Sequence, residues 1–426
     1  MKKRKTINIF SFIICLTAFL FQANAYCDVL DDSYDLSRLR GSKLGYYIGS
    51  FDPIHLGHQN VIDKALESGY VDRVLIYPAP GGDQYKNRCD LKIRYELIKA
   101  LYQHHPKVLI TQWTPHELQL NFNESLKDLN IVGIIGSDVI TEKLMGPDTE
   151  ISEKYKKVFM RGITLDEKHY HDTVGVLMAL KADSFLVALR DNIDFSYLDN
   201  RIYDRPILAF LYPKSHSSTE VRNAIKNGTS FEHLVSFSTQ ALIKQKGLYG
   251  YPCRFNKELH DEIITLRDHD QTARASIKSI QEITPDTWKT IEEVDIRHAS
   301  RLKEIIEEYG WPGVSVVGLD GSNAMWLLVQ HQDKNHPFQK RCAELLQEAV
   351  KRYEATPQTF AYLTDRIRLN EDKPQIYGTQ WNFVEGELIL YPVENRDTLD
   401  AVRSQMGLNS MAESEKELRS AYRVDF

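Results

Sequence analysis

No stretch of this 426-residue chain is repetitive or of low complexity, and no apolar run reaches the roughly 20 residues that a membrane-spanning helix needs. Cysteine is scarce. The five are Cys15, Cys27, Cys89, Cys253 and Cys342, widely and irregularly spaced, so there is no Cys-x-x-Cys knuckle for zinc and no scaffold of staples. An excess of positive charge is also missing: 53 Lys and Arg stand against 59 Asp and Glu, a formal net charge of -6. That balance excludes a general nucleic-acid binder, which needs a broad basic footprint, but leaves room for a local basic cleft for phosphates. The length exceeds one ordinary compact core and implies two domains.

What is present begins with an export pattern. Lys2, Lys3, Arg4 and Lys5 form a positive segment without acids, Ile7 to Phe21 an apolar one, and Ala23-Asn24-Ala25 a small-residue cleavage site. Residues 1–25 are therefore expected to be a signal peptide, the mature chain starting near Tyr26 and exported to the periplasm or beyond. Cys27 follows Tyr26 rather than a small residue, which argues against a lipid-anchored cysteine. Four cysteines then remain, and three pairings are open to them.

Apolar runs alternate with helical spacing over the first half. Leu44 to Ile48, Val71 to Tyr77, Val108 to Ile110, Ile131 to Ile135 and Ile207 to Leu211 read as strands. Gly57 to Ser68 and Leu91 to His104 read as amphipathic helices. This order predicts an α/β domain with a Rossmann-like parallel sheet covered on both faces, whose ligands bind at the carboxyl ends of the strands. Composition changes near Tyr251-Pro252-Cys253. Beyond it, Asn256 to Ile280, Asp295 to Glu308 and Pro337 to Tyr353 read as helices, so a first domain over 26–252 and a mostly helical second one over 258–426 are expected.

The chemistry lies in two segments. In Gly49-Ser50-Phe51-Asp52-Pro53-Ile54-His55-Leu56-Gly57-His58 a strand ends at glycine, a tight loop follows and a helix begins. A helix N-terminus presents unpaired N–H groups to an anion. Gly57 removes a side chain where a nucleotide can press on the backbone. His55 and His58 are three apart, so both can face one phosphate and donate to oxygens that gain charge. A pair of surface histidines at a helix cap is the plainer alternative. In the second segment, Ser217-Ser218-Thr219-Glu220-Val221-Arg222, hydroxyls cap a helix whose first turn holds an acid. The same N-terminus can hold phosphate oxygens, with Arg222 one turn on as a clamp.

Together these segments resemble the nicotinamide/nicotinate mononucleotide adenylyltransferases of the nucleotidylyltransferase superfamily. The likeness runs over about residues 42–250. Tyr77 to Lys86 is similar to the family's loop ending in a phosphate-binding lysine, and Arg94 to Ile98 to its arginine helix. Trp113 to Leu126 looks like its tryptophan-and-glutamate segment, Gly136-Ser137-Asp138 like its Gly-x-Asp turn, and Val235 to Tyr249 like its closing helix. The resemblance implies in-line attack of a mononucleotide phosphate on the α-phosphate of ATP with Mg²⁺, releasing pyrophosphate. Carried over by position, His55, His58, Lys86 and Arg222 are the catalytic set. Gly49, Ser50, Phe51, Gly57, Gly136, Asp138, Ser217, Ser218 and Thr219 contact ATP, while Trp113 and Arg94 contact the acceptor. Lys86 equally reads as a solvated loop cation, Asp138 as a turn former and Trp113 as a core indole. The family's second tryptophan is missing from Val139 to Gly146, which leaves the acceptor open; relatives using phosphopantetheine or making cytidylyl-alcohols are alternative models. No protein metal site is implied.

The second half resembles a bacterial domain of unknown function. Its clusters Gln330-His331-Gln332-Asp333 and His336-Pro337-Phe338-Gln339 offer His331, Asp333 and His336 as metal ligands or acid/base groups. Satisfied buried hydrogen bonds are the alternative. For the whole chain two readings stand: an exported adenylyltransferase, or an exported nucleotide-binding or interaction module whose function lies in the second half.

Overall fold

The computed structural model describes residues 28–31, 33–79, 88–103, 105–111, 113, 117–118, 120–121, 129–137, 182–189, 201–202, 205–213, 216–275, 285–384 and 387–422. Residues 1–25, Lys86 and Asp138, singled out above, lie outside them. The chain divides into two compact units between Thr239 and Gln240.

The first unit is a sheet with helices. Its strands are β1 (Asp28–Leu30), β2 (Lys43–Gly49), β3 (Arg73–Pro78), β4 (Val108–Thr111), β5 (Asn130–Gly136), β6 (Ser184–Ala188), β7 (Arg201–Ile202) and β8 (Arg205–Leu211). They lie in the order β1-β4-β3-β2-β5-β6-β8-β7. All pairings are parallel except the last, between β7 and β8. The Rossmann-like expectation is met: β2 has β3 on one side and β5 on the other, so the chain turns in opposite directions from a central strand. A ligand crevice belongs at the carboxyl end of that switch point. Strands β2 to β6 are buried along nearly their whole length, β3 through Val74, Leu75, Ile76 and Tyr77, as strands covered on both faces must be. Among the helices, α1 (Leu56–Glu67) buries Val61, Ile62 and Ala65, α2 (Leu91–Tyr102) buries Tyr95, Leu97 and Ile98, and α3 (Ser218–Lys226) buries Val221 and Ile225. The short strands β1, β6 and β7 escaped the sequence reading.

Helix α4 (Phe237–Lys246) carries the division between the units. The sequence places that boundary at 251–253, but Gln240 and Lys244 both donate to the carbonyl of Tyr353. These bonds tie the later turns of α4 to the second unit.

That unit is mostly helical, as expected, with α5 (Lys257–Ala275), α6 (Pro285–Tyr309), α7 (Val314–Gln330), α8 (His336–Lys351), α9 (Pro357–Asn370), α10 (Leu399–Gln405) and α11 (Met411–Tyr422). An antiparallel hairpin, β9 (Trp381–Val384) and β10 (Glu387–Leu390), departs from the helical expectation. Pro285 is the first residue of α6, where its missing N–H costs nothing. Helix α7 is apolar around most of its circumference, so it lacked the one-sided periodicity that marks a surface helix. It forms the middle of a core with Leu259, Ile263, Leu302, Ile305, Leu346 and Leu363. No helix among the described residues is long and apolar enough to cross a membrane. The thiols of Cys253 and Cys342 are free.

Candidate active site

Beyond β2 the backbone is held in an uncommon path. Phe51 has φ of 47° and is fully buried, and the Asp52–Pro53 peptide bond is cis. A left-handed conformation on a non-glycine residue is unfavourable and persists only where surrounding contacts enforce it. Here the Phe51 ring lies over Gly49, where a Cβ would come within 2.9 Å of it, and meets the His58 ring edge-on with centroids 4.9 Å apart.

The histidines form a reciprocal cap. The Nδ1 of His55 accepts from the N–H of Gly57 at 3.1 Å, and the Nδ1 of His58 accepts from the N–H of His55 at 3.4 Å. Both rings are buried and stacked, centroids 3.7 Å apart. A backbone N–H can only donate, so each Nδ1 is an acceptor and each ring keeps its proton on Nε2. The cap thus fixes two N–H donors at the start of α1, where the helix field already favours an anion. The surface-histidine alternative is set aside by this burial. Gly57 has a different reason from the expected one. A Cβ there would meet the His55 ring at 2.9 Å and the carbonyl of His216 at 3.2 Å, so the cleared space is filled by the protein itself.

The second motif meets the first directly. Ser218 Oγ donates to the carbonyl of Pro53 at 3.0 Å, across 165 residues of sequence. Arg222 donates through Nη1 to the carbonyl of Asp52 and through Nη2 to Thr219 Oγ1 at 3.1 Å. Ser217 is the N-cap of α3, accepting from the N–H of Glu220. Four expected phosphate ligands are therefore engaged with protein atoms. Arg222, whose side chain is about one-third exposed, is the one with reach to spare.

Two assignments change. Arg94 has no exposed surface, and it donates to the carbonyls of Ser50 (2.7 Å), Ala79 (2.8 Å) and Cys89 (3.0 Å). A guanidinium so placed fixes the loops after β2 and β3 rather than contacting an acceptor. Trp113 is buried in the sheet core beside Leu30 and Leu118, its N–H held by Thr111 Oγ1, so the core-indole alternative is the correct one. Ser50 lies at the same edge and accepts from Arg88 Nε at 3.0 Å. Gly136 ends β5 next to that edge, paired with Ala188. Arg88 and Asp52 were missed because neither falls at a helix start or in a charge pattern; each takes its place only through the fold.

In the second unit the expected cluster comes apart. His331 faces Asp270, which lies 2.9 Å from its Nδ1. Asp270 is bridged by Arg274 to Asp295. Asp333 instead binds Arg366, Gln339 and Asn370. Burial pushes the carboxyls of Asp270 and Asp333 up, but His331 and Arg274 beside the first, and Arg366 beside the second, hold both below their ordinary range. His336 opens α8 away from either carboxylate's hydrogen bonds. No group of three His, Cys, Asp or Glu among the described residues is arranged to hold a metal ion, which removes the metal-ligand reading of His331, Asp333 and His336.

Fold and site together define a nucleotidyltransferase domain: a parallel sheet whose switch point carries paired imidazole donors and two helix N-termini. Comparison with known proteins agrees. Residues 46–224 match the cytidylyltransferase-like family, and residues 257–426 match a family of unknown function (DUF6624). A Clostridium tetani protein named "Probable nicotinate-nucleotide adenylyltransferase" is 26% identical over 220 residues, covering 49% of this chain and 98% of its own. One of the same name from Fusobacterium nucleatum is 23% identical over 209 residues, covering 48% and 98%. A solved structure, the Plasmodium falciparum nicotinic acid mononucleotide adenylyltransferase complexed with NaAD, is 17% identical with a TM-score of 0.34, covering 50% of this chain and 98% of its own. The first half of the chain is thus similar to cytidylyltransferase-like nucleotidyltransferases, and the second half to a family of unknown function.

Proposed function

We propose that the first unit transfers AMP from ATP to the phosphate of a pyridine mononucleotide, nicotinate or nicotinamide, giving deamido-NAD or NAD and pyrophosphate. The observation that carries this reading is the reciprocal cap, which commits both imidazoles to Nε2–H donors at a helix N-terminus. An oxygen of the acceptor phosphate attacks the α-phosphorus of ATP in line; the new P–O bond forms as the bond to the β-phosphate oxygen breaks, and its electron pair leaves with pyrophosphate. His55 and His58 donate hydrogen bonds to α-phosphate oxygens, whose charge grows in the transition state. Neither histidine needs to take a proton, since the acceptor's phosphate is already anionic. Mg²⁺ enters as the ATP complex, held by phosphate oxygens and water, as this ion commonly is. Arg222, still held at the Asp52 carbonyl, offers its remaining N–H groups to the β- and γ-phosphates.

Incubating the protein with ATP, Mg²⁺ and a panel of phosphorylated acceptors, and following pyrophosphate release, tests this. Nicotinate mononucleotide should give the fastest release and 4′-phosphopantetheine none; the reverse order would replace the acceptor. ATP binding without turnover on any acceptor would favour the nucleotide-binding module. Export after cleavage at Ala25 belongs to the same proposal, motivated by the charged, apolar and small-residue order of residues 1–25. N-terminal sequencing of the protein from the exported fraction should begin at Tyr26.

A further inference from the structure

We propose that Asp52 is a positioning residue for nucleotide binding, its carboxylate and carbonyl holding Arg222 and the turn before α2 in one arrangement. This rests on the reading of the first unit as an ATP site. Asp52 is 2% exposed. Burying a carboxylate is costly unless charge and hydrogen bonds compensate, so its neighbours define its task. Its Oδ2 accepts from the N–H of Cys89 at 3.2 Å and lies 4.0 Å from Nη1 of Arg222. The same Nη1 donates to the Asp52 carbonyl. One residue thereby grips the guanidinium from both its side chain and its main chain.

The grip extends to a third segment. Cys89, whose N–H the carboxylate takes, gives its carbonyl to Arg94, and Arg94 in turn holds the carbonyl of Ser50. Asp52, Cys89, Arg94 and Ser50 therefore close a ring of polar contacts under the phosphate-facing turn, and Arg222 is attached to it at Asp52. A free arginine side chain samples many rotamers, and a ligand must otherwise overcome that entropy. Held at Asp52, Arg222 is already confined near the start of α1 before ATP arrives. The carboxylate touches no substrate; it acts through Arg222.

The test is a double-mutant cycle read on ATP binding by calorimetry with Mg²⁺. Asp52→Asn is near-isosteric and keeps an acceptor oxygen for the Cys89 N–H, so the fold is retained. It should raise the ATP Kd about five-fold, Arg222→Ala about ten-fold or more, and the double variant no further than Arg222→Ala alone, because neighbours acting as a unit do not add. Independent, multiplying effects would overturn the proposal, as would an Asp52→Asn protein that binds like wild type. Asp52→Glu, which keeps the charge but displaces it, should fall between wild type and Asp52→Asn. Turnover separates the two claims. Wild type that binds ATP and releases no pyrophosphate with any acceptor refutes the proposed reaction while leaving the coupling readable. Active wild type with additive effects refutes the coupling alone.

Discussion

In the sheet unit, polar side chains around the site bind main-chain atoms: His55 and His58 take backbone N–H groups, and Arg94, Ser218 and Arg222 give to backbone carbonyls. Where the ends of α5 and α7 meet the middle of α6 in the helical unit, charges bind one another, through Asp270, Arg274, Asp295 and His331. The two habits have different consequences. A side chain that binds the main chain fixes a loop, and in an imidazole it leaves the opposite nitrogen with a defined proton. Charges that pair with each other cancel, and their chief product is a fixed helix arrangement. Chemistry is thus easier to argue for the first unit, and architecture for the second.

The sharpest way to break this contrast is to remove the hub of the charge cluster. Asp270→Ala leaves Arg274 and His331 buried without their common partner, which typically costs about 3–5 kcal/mol. A urea titration of the full chain should show that loss in the second unit's transition. The pH dependence follows from sign. The Asp270 carboxyl is held below its ordinary range when folded, so the stability it confers is present above about pH 4 and disappears as pH falls through the folded value. The difference between wild type and Asp270→Asn should therefore shrink in acid. A cost under about 1 kcal/mol at pH 7 would mean that these charges are worth no more than surface pairs.

The complementary change is His58→Ala. Losing one preorganised donor usually costs on the order of 100- to 1000-fold in rate, about 3–4 kcal/mol. Because His58 also accepts the His55 N–H, stability should fall too, by about 1 kcal/mol as for a lost cap. His58→Asn, which can still accept that N–H, should recover stability without recovering the rate. Equal turnover by wild type and His58→Ala would end the mechanism.

Much of the first unit was legible because its strands are long apolar runs and its motifs sit at strand-to-helix turns, where local residue types state their purpose. Spacing alone brought His55 and His58 to one face, and hydroxyls marked the start of α3. Illegible were contacts made by closure of the fold: a Pro53 carbonyl waiting for Ser218, and a buried Asp52 between Cys89 and Arg222. Arg94 misled for a related reason. An arginine on a helix reads as a ligand for anions, and only the sheet shows that three carbonyls already use it. In the second unit His331 and Asp333 are two apart in sequence, yet the turn after α7 sends each to a different partner.

Trp113 gives the smallest expected effect and sharpens the same contrast from the inside. A tryptophan near a nucleotide site invites a stacking role, and its segment resembles one that would supply it. In the fold, however, Trp113 is 8% exposed and belongs to the sheet core with Leu30, Leu109 and Leu118, just beyond the carboxyl end of β4. Its backbone N–H, not its ring, makes the bond to Thr111 that closes the end of β4. Phenylalanine keeps most of the buried apolar surface and leaves that backbone bond intact, though it is smaller and leaves some volume unfilled. Near-conservative swaps of this kind usually cost less than about 1.5 kcal/mol. Trp113→Phe should therefore lower the melting temperature by a few degrees, on the order of the shift such a loss produces in a domain of this size. The acceptor KM should not change, because the ring is buried in the sheet core. An acceptor KM raised ten-fold with stability intact would return Trp113 to the site, and would show that the sheet unit places a side chain for the ligand where burial alone says it serves the core.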